Sequence, residues 1–193
     1  AVIEQNVKSF AELSMIDKIF YMDQSKNYAE RYTSETSLGD FVDVGENGAY
    51  PKTSMQEGFS VTIEPTTWKS SFEVTAEMVE DAKIGKIKSI ANIFATSYNR
   101  TREKFAANLI YGGINEEIEF AGRKYSTQSA DGVPLFSKAH PSVTKGIGKQ
   151  SNIFTNAFSI GVMDAMQEAM QKFTDDDGNI LNVAPDTIII PNS

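Results

Sequence analysis

Four stretches carry residue types that could do chemistry. Asp175-Asp176-Asp177-Gly178 has the carboxylates and the glycine turn of a calcium loop. With Gly178 at the sixth loop position, however, the loop would begin at Phe173 and end at Ala184, and neither side chain offers an oxygen. A solvated turn after a helix fits better. Lys145-Gly146-Ile147-Gly148-Lys149 resembles a phosphate cradle, but Val143 stands where the first glycine of a P-loop belongs and Gln150 where its Ser or Thr belongs. A dinucleotide fingerprint would need glycine at Ser151 and a strand before it. His140 is the only histidine, too few for a multi-histidine metal site. Hydrolysis through His140 with a Ser and an Asp is conceivable, yet no nucleophile elbow is present. A hydrogen bond that holds its loop is the simpler role. Met163, Met166 and Met170 follow helical spacing and read as core or interface filler.

The composition narrows the classes further. The chain has 193 residues with no cysteine, which removes disulfides, thiolate metal sites and cysteine nucleophiles. No apolar run approaches the length of a membrane span, and AVIEQNVKSF is too polar for a signal peptide. The net charge is −8. Residues 1–74 carry six bases against twelve acids, residues 75–115 six against four, and residues 116–193 six against ten. An acidic whole argues against tight nucleic-acid binding, which rests on Lys and Arg neutralising phosphates. No cofactor and no metal is expected, and the residues do not support an enzyme.

The element expected to organise the chain is Thr75–Gly112. Ile84, Ile87, Ala91, Phe94, Tyr98, Thr101, Phe105 and Leu109 recur in steps of three and four, which keeps one stripe on one helical face. Thr75 suits the N-cap, and Gly112-Gly113 the stop. Gly85 is expected to split the stretch into a short lead-in helix and a long spine from Lys86. The stripe should pack on a sheet of its own domain, which leaves Lys86, Lys88, Arg100 and Lys104 free to meet acidic neighbours. Before the spine, residues 7–22 read as an amphipathic helix through Val7, Phe10, Ile16, Ile19 and Phe20. Residues 23–40 read as a polar arm with Tyr28 and Tyr32 as anchors. Phe41, Val42 and Val44 then predict a strand paired with Phe59, Val61 and Ile63 in a long hairpin. Its polar middle, Pro51–Gly58, makes it marginal alone, so it should lean on another subunit. After the spine, Glu117–Tyr125 predicts a small hairpin around Ala121-Gly122. Residues 129–152 are an irregular Gly/Pro-rich loop, residues 157–173 a second amphipathic helix, and Thr187–Ile190 a buried strand.

The stretch Asp131–Pro141, DGVPLFSKAHP, resembles a segment of the major capsid (head) proteins of tailed phages, in the Mu-like prophage group. The order of parts around it matches as well. Phe72-Glu73-Val74-Thr75 leads into the spine. A glycine-containing loop and Ser151-Asn152 follow the motif, then the helix 157–173, the Asp177-Gly178 turn and the proline-bounded segment Pro185–Pro191. The resemblance covers nearly the whole chain.

It implies an α+β fold of the Hong Kong 97 type. Residues 1–40 would be the N-arm with a helix, and 41–68 the extended E-loop hairpin. Residues 69–115 would form the peripheral domain with the spine helix, and 116–193 an axial domain. Family members continue beyond Thr187–Ile190, so the axial domain reads as truncated. The function implied is a structural subunit that self-assembles, as pentamers and hexamers, into the icosahedral head enclosing double-stranded DNA. An encapsulin-like compartment shell is the alternative with the same fold. Copies of itself are the expected partners, together with scaffold, portal and decoration proteins. Packaged DNA would be touched weakly and without sequence specificity, and no membrane is involved. The chain would be assembled in the bacterial host cytoplasm and reside in the virion. Inter-subunit contacts are expected at Lys52, Met55, Phe59, Trp68, Lys86, Arg100 and Lys104. Nothing in the residues marks a crosslinking lysine, Lys52 and Lys69 included.

Overall fold

The computed structural model describes residues 14–81 and 83–190. They form two units, which are taken separately. One holds the described residues up to Glu30 together with Glu64–Thr127. The other holds Arg31–Ile63 together with the described residues from Gln128 onward.

The first unit is built along a helix. α1 is a single turn, Ile16–Ile19, with Ile16 buried. The part of the expected N-terminal helix before residue 14 lies outside the described residues. Ser14 fastens this turn: its hydroxyl accepts from the Ile16 N–H and donates to Glu103 on the spine. α2 is Ala76–Glu80, and Thr75 caps it as expected, with Oγ1 accepting from the Met78 N–H at 3.3 Å.

The spine α3 runs from Ile84 to Gly112, 29 residues, or about 44 Å at ~1.5 Å rise per residue. α2 ends on its cap Asp81 and α3 begins after its cap Lys83, so the break does not fall at Gly85. Lys83 leaves the helical region, with ψ at 47°, and its carbonyl accepts the first bonds of α3 from Lys86 and Ile87. Gly85 sits in the first turn, where amides lack intrahelical partners in any case and a glycine costs little.

Much of the apolar stripe is covered, though not all of it. Ile87, Ala91, Phe94, Thr101, Phe105 and Leu109 are half-buried, whereas Ile84 and Tyr98 are exposed. The deepest positions are small ones beside the stripe, Ala95 and Ala106. The N-terminal half of the stripe meets Phe72, whose ring lies 5.1 Å from that of Phe94. The C-terminal half meets a hairpin of residues 117–126.

That hairpin, β3 Glu117–Phe120 and β4 Arg123–Ser126, pairs antiparallel with Ile118 opposite Tyr125. Ala121 and Gly122 form the turn, both with positive φ, 52° and 76°. A two-residue hairpin turn of this kind asks for φ above zero at both central positions, which glycine adopts freely and alanine only at a cost of about 1 kcal/mol. Asn108 donates from Nδ2 to the Glu119 carbonyl at 3.0 Å and ties the hairpin to α3.

The spine stops at the expected Gly112-Gly113 pair: Gly112 is its last helical residue, over which β3 closes, and Gly113 is its cap. A Cβ built at Gly112 would overlap Cγ2 of buried Ile118. Gly113, the cap, is not left-handed (φ −64°). α3 and this hairpin belong to one unit, which ends at Thr127.

The second unit contains a two-stranded sheet, β1 Glu30–Glu35 and β2 Glu57–Ile63. The Arg31 guanidinium donates to Ser60 Oγ, Ser34 Oγ to the Phe59 carbonyl and the Thr36 N–H to the Gln56 carbonyl. Partners descend as the chain ascends, so the strands run antiparallel. The predicted strand at Phe41–Val44 is therefore corrected. The partner of β2 is Glu30–Glu35, inside the segment read as a polar arm, and residues 41–44 lie in the connection. Gly39, Gly45 at φ 62° and Pro51 break up that connection, and a run of three apolar residues does not overcome so much turn chemistry.

Beyond Gln128 the chain is mostly loop, with isolated bridges at Gln128–Pro134, His140–Gln150 and Thr174–Ile180. The one helix described here is α4, Ile160–Gln171, capped by Ser159, whose Oγ accepts from the Val162 N–H at 3.3 Å. Met163, Met166, Met170 and Phe173 are half-buried as a face, but Ile160 is 80% exposed. The predicted buried strand Thr187–Ile190 is also corrected. It forms no strand, and Ile188, Ile189 and Ile190 are exposed. Among the described residues nothing pairs with its backbone, so its β-branched side chains have no sheet to bury against.

Candidate functional site

The loop-rich part of the second unit lacks a core of large buried side chains. Polar side chains hold it by bonding to the backbone of distant loops. The motif Asp131–Pro141 is closed near its two ends. Asp131 Oδ1 accepts from the Val133 N–H, and Oδ2 lies 2.6 Å from His140 Nδ1. An ionised carboxylate only accepts, so the imidazole donates from Nδ1. The His140 backbone pairs in both directions with Gln150. The Gln150 carboxamide then makes two bonds with the Thr174 backbone, donating to its carbonyl at 2.8 Å and accepting its N–H at 3.0 Å. Asn152 does the same inside the motif, donating to the Leu135 carbonyl and accepting the Ser137 N–H, both at 2.8 Å. Asp176 accepts from Ser142 Oγ and the Val143 N–H. Each bond satisfies a backbone group that irregular chain leaves without a ladder partner.

This network settles what His140 is placed to do. Asp131 orients its ring as a base would be oriented, but Nε2, the atom that would take a proton, is buried with no hydrogen-bond partner. Among the described residues no hydroxyl pairs with it, and the geometry is that of a loop fastener. The acidic turn is likewise occupied by backbone. Asp175 accepts from the Asp177 N–H at 2.9 Å, the Asn179 N–H at 2.8 Å and Ser37 Oγ at 2.7 Å. Among the described residues no group of three or more His, Cys, Asp or Glu is placed to hold a metal ion. No described helix is long and apolar enough to cross a membrane.

The bond from Ser37, aided by the two turn amides, holds the Asp175 carboxyl down at about 2, from 3.8. A folded pKa below the unfolded one marks a contribution that is present above the unfolded value and lost as the pH falls through the folded one. Carbon-detected NMR is therefore expected to show the 174–180 turn intact at neutral pH and loosening only between about 4 and 2. Ser37→Ala should move the Asp175 titration up towards the ordinary aspartate range. An unchanged titration in that variant would remove Ser37 as the cause.

The expected contact residues are divided between the two units. Lys86, Arg100 and Lys104 are exposed on α3 and, at 3.6 residues per turn, share one side of it. Trp68 packs within its own unit, its ring centroid 5.5 Å from Phe105, 5.6 Å from Phe120 and 6.1 Å from Tyr125, and it remains 45% exposed. In the second unit, Phe59 is half-buried in β2, while Lys52 and Met55 are exposed in the loop before it.

That loop, residues 36–56, holds what the sequence reading missed. Phe41 is fully exposed at 106%, Tyr50 at 89% and Val42 at 62%. Reading Phe41 and Val42 as a strand hid them, although the flanking glycines were the signal that no strand would form there. At the base of the loop an open polar groove of about 650 Å³ runs past Thr36, Gln56, Lys145 and Asp177. It lacks the apolar lining of a small-molecule pocket.

Among the described residues no large side chain is fully buried.

Residues 58–193, more than two thirds of the chain, match a family model described as phage capsid protein. No curated protein and no solved structure matches.

Proposed function

The chain belongs to the phage capsid protein family, a structural and non-enzymatic kind found in the virion, and on that premise we propose that it is a major head subunit of a tailed phage or Mu-like prophage. In this reading it self-assembles as pentamers and hexamers into an icosahedral shell around double-stranded DNA, with a fold of the Hong Kong 97 type. The carrying observation is the apolar surface left uncovered, centred on Phe41, Val42 and Tyr50 in loop 36–56. A soluble monomer rarely leaves so much apolar surface in water. Repetition of one contact around symmetry axes turns weak contacts into a closed structure. Loop 36–56 with its two strands takes the part of the E-loop, α3 that of the spine of the peripheral domain, and the loops from Gln128 onward the axial domain. Lys86, Arg100 and Lys104 offer a basic face to the acidic surface of a neighbouring copy. With a net charge of −8, the shell would enclose DNA without gripping it.

Trypsin tests the placement of the loop. Lys52 is exposed in chain with no secondary structure, and such loops are preferred sites of nicking. The free subunit is expected to be cut after Lys52 early in digestion, and the assembled shell to resist at that bond while Lys145 and Lys149 serve as internal references. Equal cutting at Lys52 in both states would show that the loop stays uncovered on assembly.

A further inference from the structure

We propose that Asn47 is a site of spontaneous deamidation. Asn47-Gly48 is the only Asn-Gly pair in the chain. A glycine after asparagine leaves the backbone nitrogen unhindered in its approach to the side-chain carbonyl carbon. The pair sits in an exposed turn of loop 36–56, after Gly45 at φ 62°. The turn also requires that glycine: a Cβ built at Gly48 would overlap the Val44 carbonyl oxygen. The fold therefore retains the one neighbour that makes this asparagine reactive. Two other carboxamides are tied down, Asn108 on the Glu119 carbonyl and Asn152 on Leu135 and Ser137. Asp131-Gly132 shares the glycine, but its side chain is engaged by His140 and Val133.

The step balances without an added oxidant or reductant. The deprotonated Gly48 nitrogen bonds to Cγ of Asn47, the Cγ–Nδ2 bond breaks, and Nδ2 leaves as ammonia after taking up a proton. Water then opens the cyclic imide at either carbonyl, to aspartate or to its β-linked isomer. One water is consumed and one ammonia released. Both products add a fourth carboxylate to a loop that carries Asp40, Asp43 and Glu46 against Lys52, and the isomer also lengthens the backbone of the turn by a methylene. The proposal is independent of what the loop touches in a shell.

Trypsin releases residues 32–52 as one peptide in which Asn47 is the only amide side chain, so the mass gain of an amide-to-acid exchange there has one assignment. The intact protein would be incubated in mildly alkaline buffer, sampled over time, digested and analysed by chromatography with mass spectrometry. The expected result is progressive loss of the amide form of this peptide and the growth of two acid products of equal mass. The peptide carrying Asn108 and Asn115 should keep its amides. Asn47→Gln, whose ring closure needs one more atom, should abolish the loss. The proposal is overturned if the 32–52 peptide keeps its amide as long as the Asn108 peptide does, or if the Asn47→Gln protein loses its amide at the wild-type rate.

Discussion

Replacing Phe105 by alanine is expected to be the most damaging single truncation in the α3 unit. Phe105 stands where the spine, the β3–β4 hairpin and the chain before α2 converge. Its ring lies 5.5 Å from Trp68, 5.4 Å from Phe120 and 5.0 Å from Tyr125, and all three contacts are edge-on, at 63°, 72° and 73°. Edge-to-face pairs contribute about 0.5–1.5 kcal/mol each beyond the area they bury. Full truncation of a buried Phe costs about 3–5 kcal/mol, and Phe105 is half-buried, so a loss of about 3 kcal/mol is expected. Urea denaturation followed by Trp68 fluorescence measures it, since Trp68 is the only tryptophan. Tyr98→Ala is the control on the same helical stripe. Tyr98 is 48% exposed and has Arg102 over its ring at 5.7 Å, an exposed cation–π contact worth about 0.5–1 kcal/mol. If the two variants lost the same stability, the aromatic cluster would not be what anchors the hairpin to the spine.

The second large effect is on assembly rather than folding. Phe41→Asp combined with Tyr50→Asp changes two side chains that are almost wholly in water, 106% and 89% exposed. Substitutions at such surface positions usually shift stability by no more than about 0.5 kcal/mol. The circular dichroism spectrum and the urea midpoint of the subunit should therefore match the wild type. Shell formation should be lost, because two charges would have to be desolvated in the covered state with no partner. Velocity sedimentation separates the outcomes. A double variant that assembles with wild-type yield would mean that loop 36–56 is not a contact.

The positions where the sequence was readable follow from local physics. The spine, the Thr75 cap and the turn at Ala121-Gly122 are each decided by residues within a few positions of one another, and each stands where periodicity and turn chemistry put it. The strand errors concern partners far away or absent. Glu30–Glu35 carries almost no apolar signal, and it is a strand because β2 lies beside it; Glu30 alone is half-buried and the remaining five residues are exposed. Phe41–Val44 and Thr187–Ile190 carry a strong apolar signal and form no strand. Apolar character predicts burial, but it does not say whether the covering surface belongs to the same chain. The clasp of Asp131, His140, Gln150 and Asn152 was legible only in part. The single histidine pointed to a loop fastener, but the bond to Asp131 and the carboxamide bridges depend on loop geometry that no spacing rule predicts.

The measurement that bears most directly on the central claim is negative-stain electron microscopy of the protein, expressed alone and together with a capsid scaffold protein. Closed shells of uniform diameter are expected in at least one of the two preparations. A protein that stays monomeric in both, across the salt and pH conditions that support capsid assembly, would contradict the account.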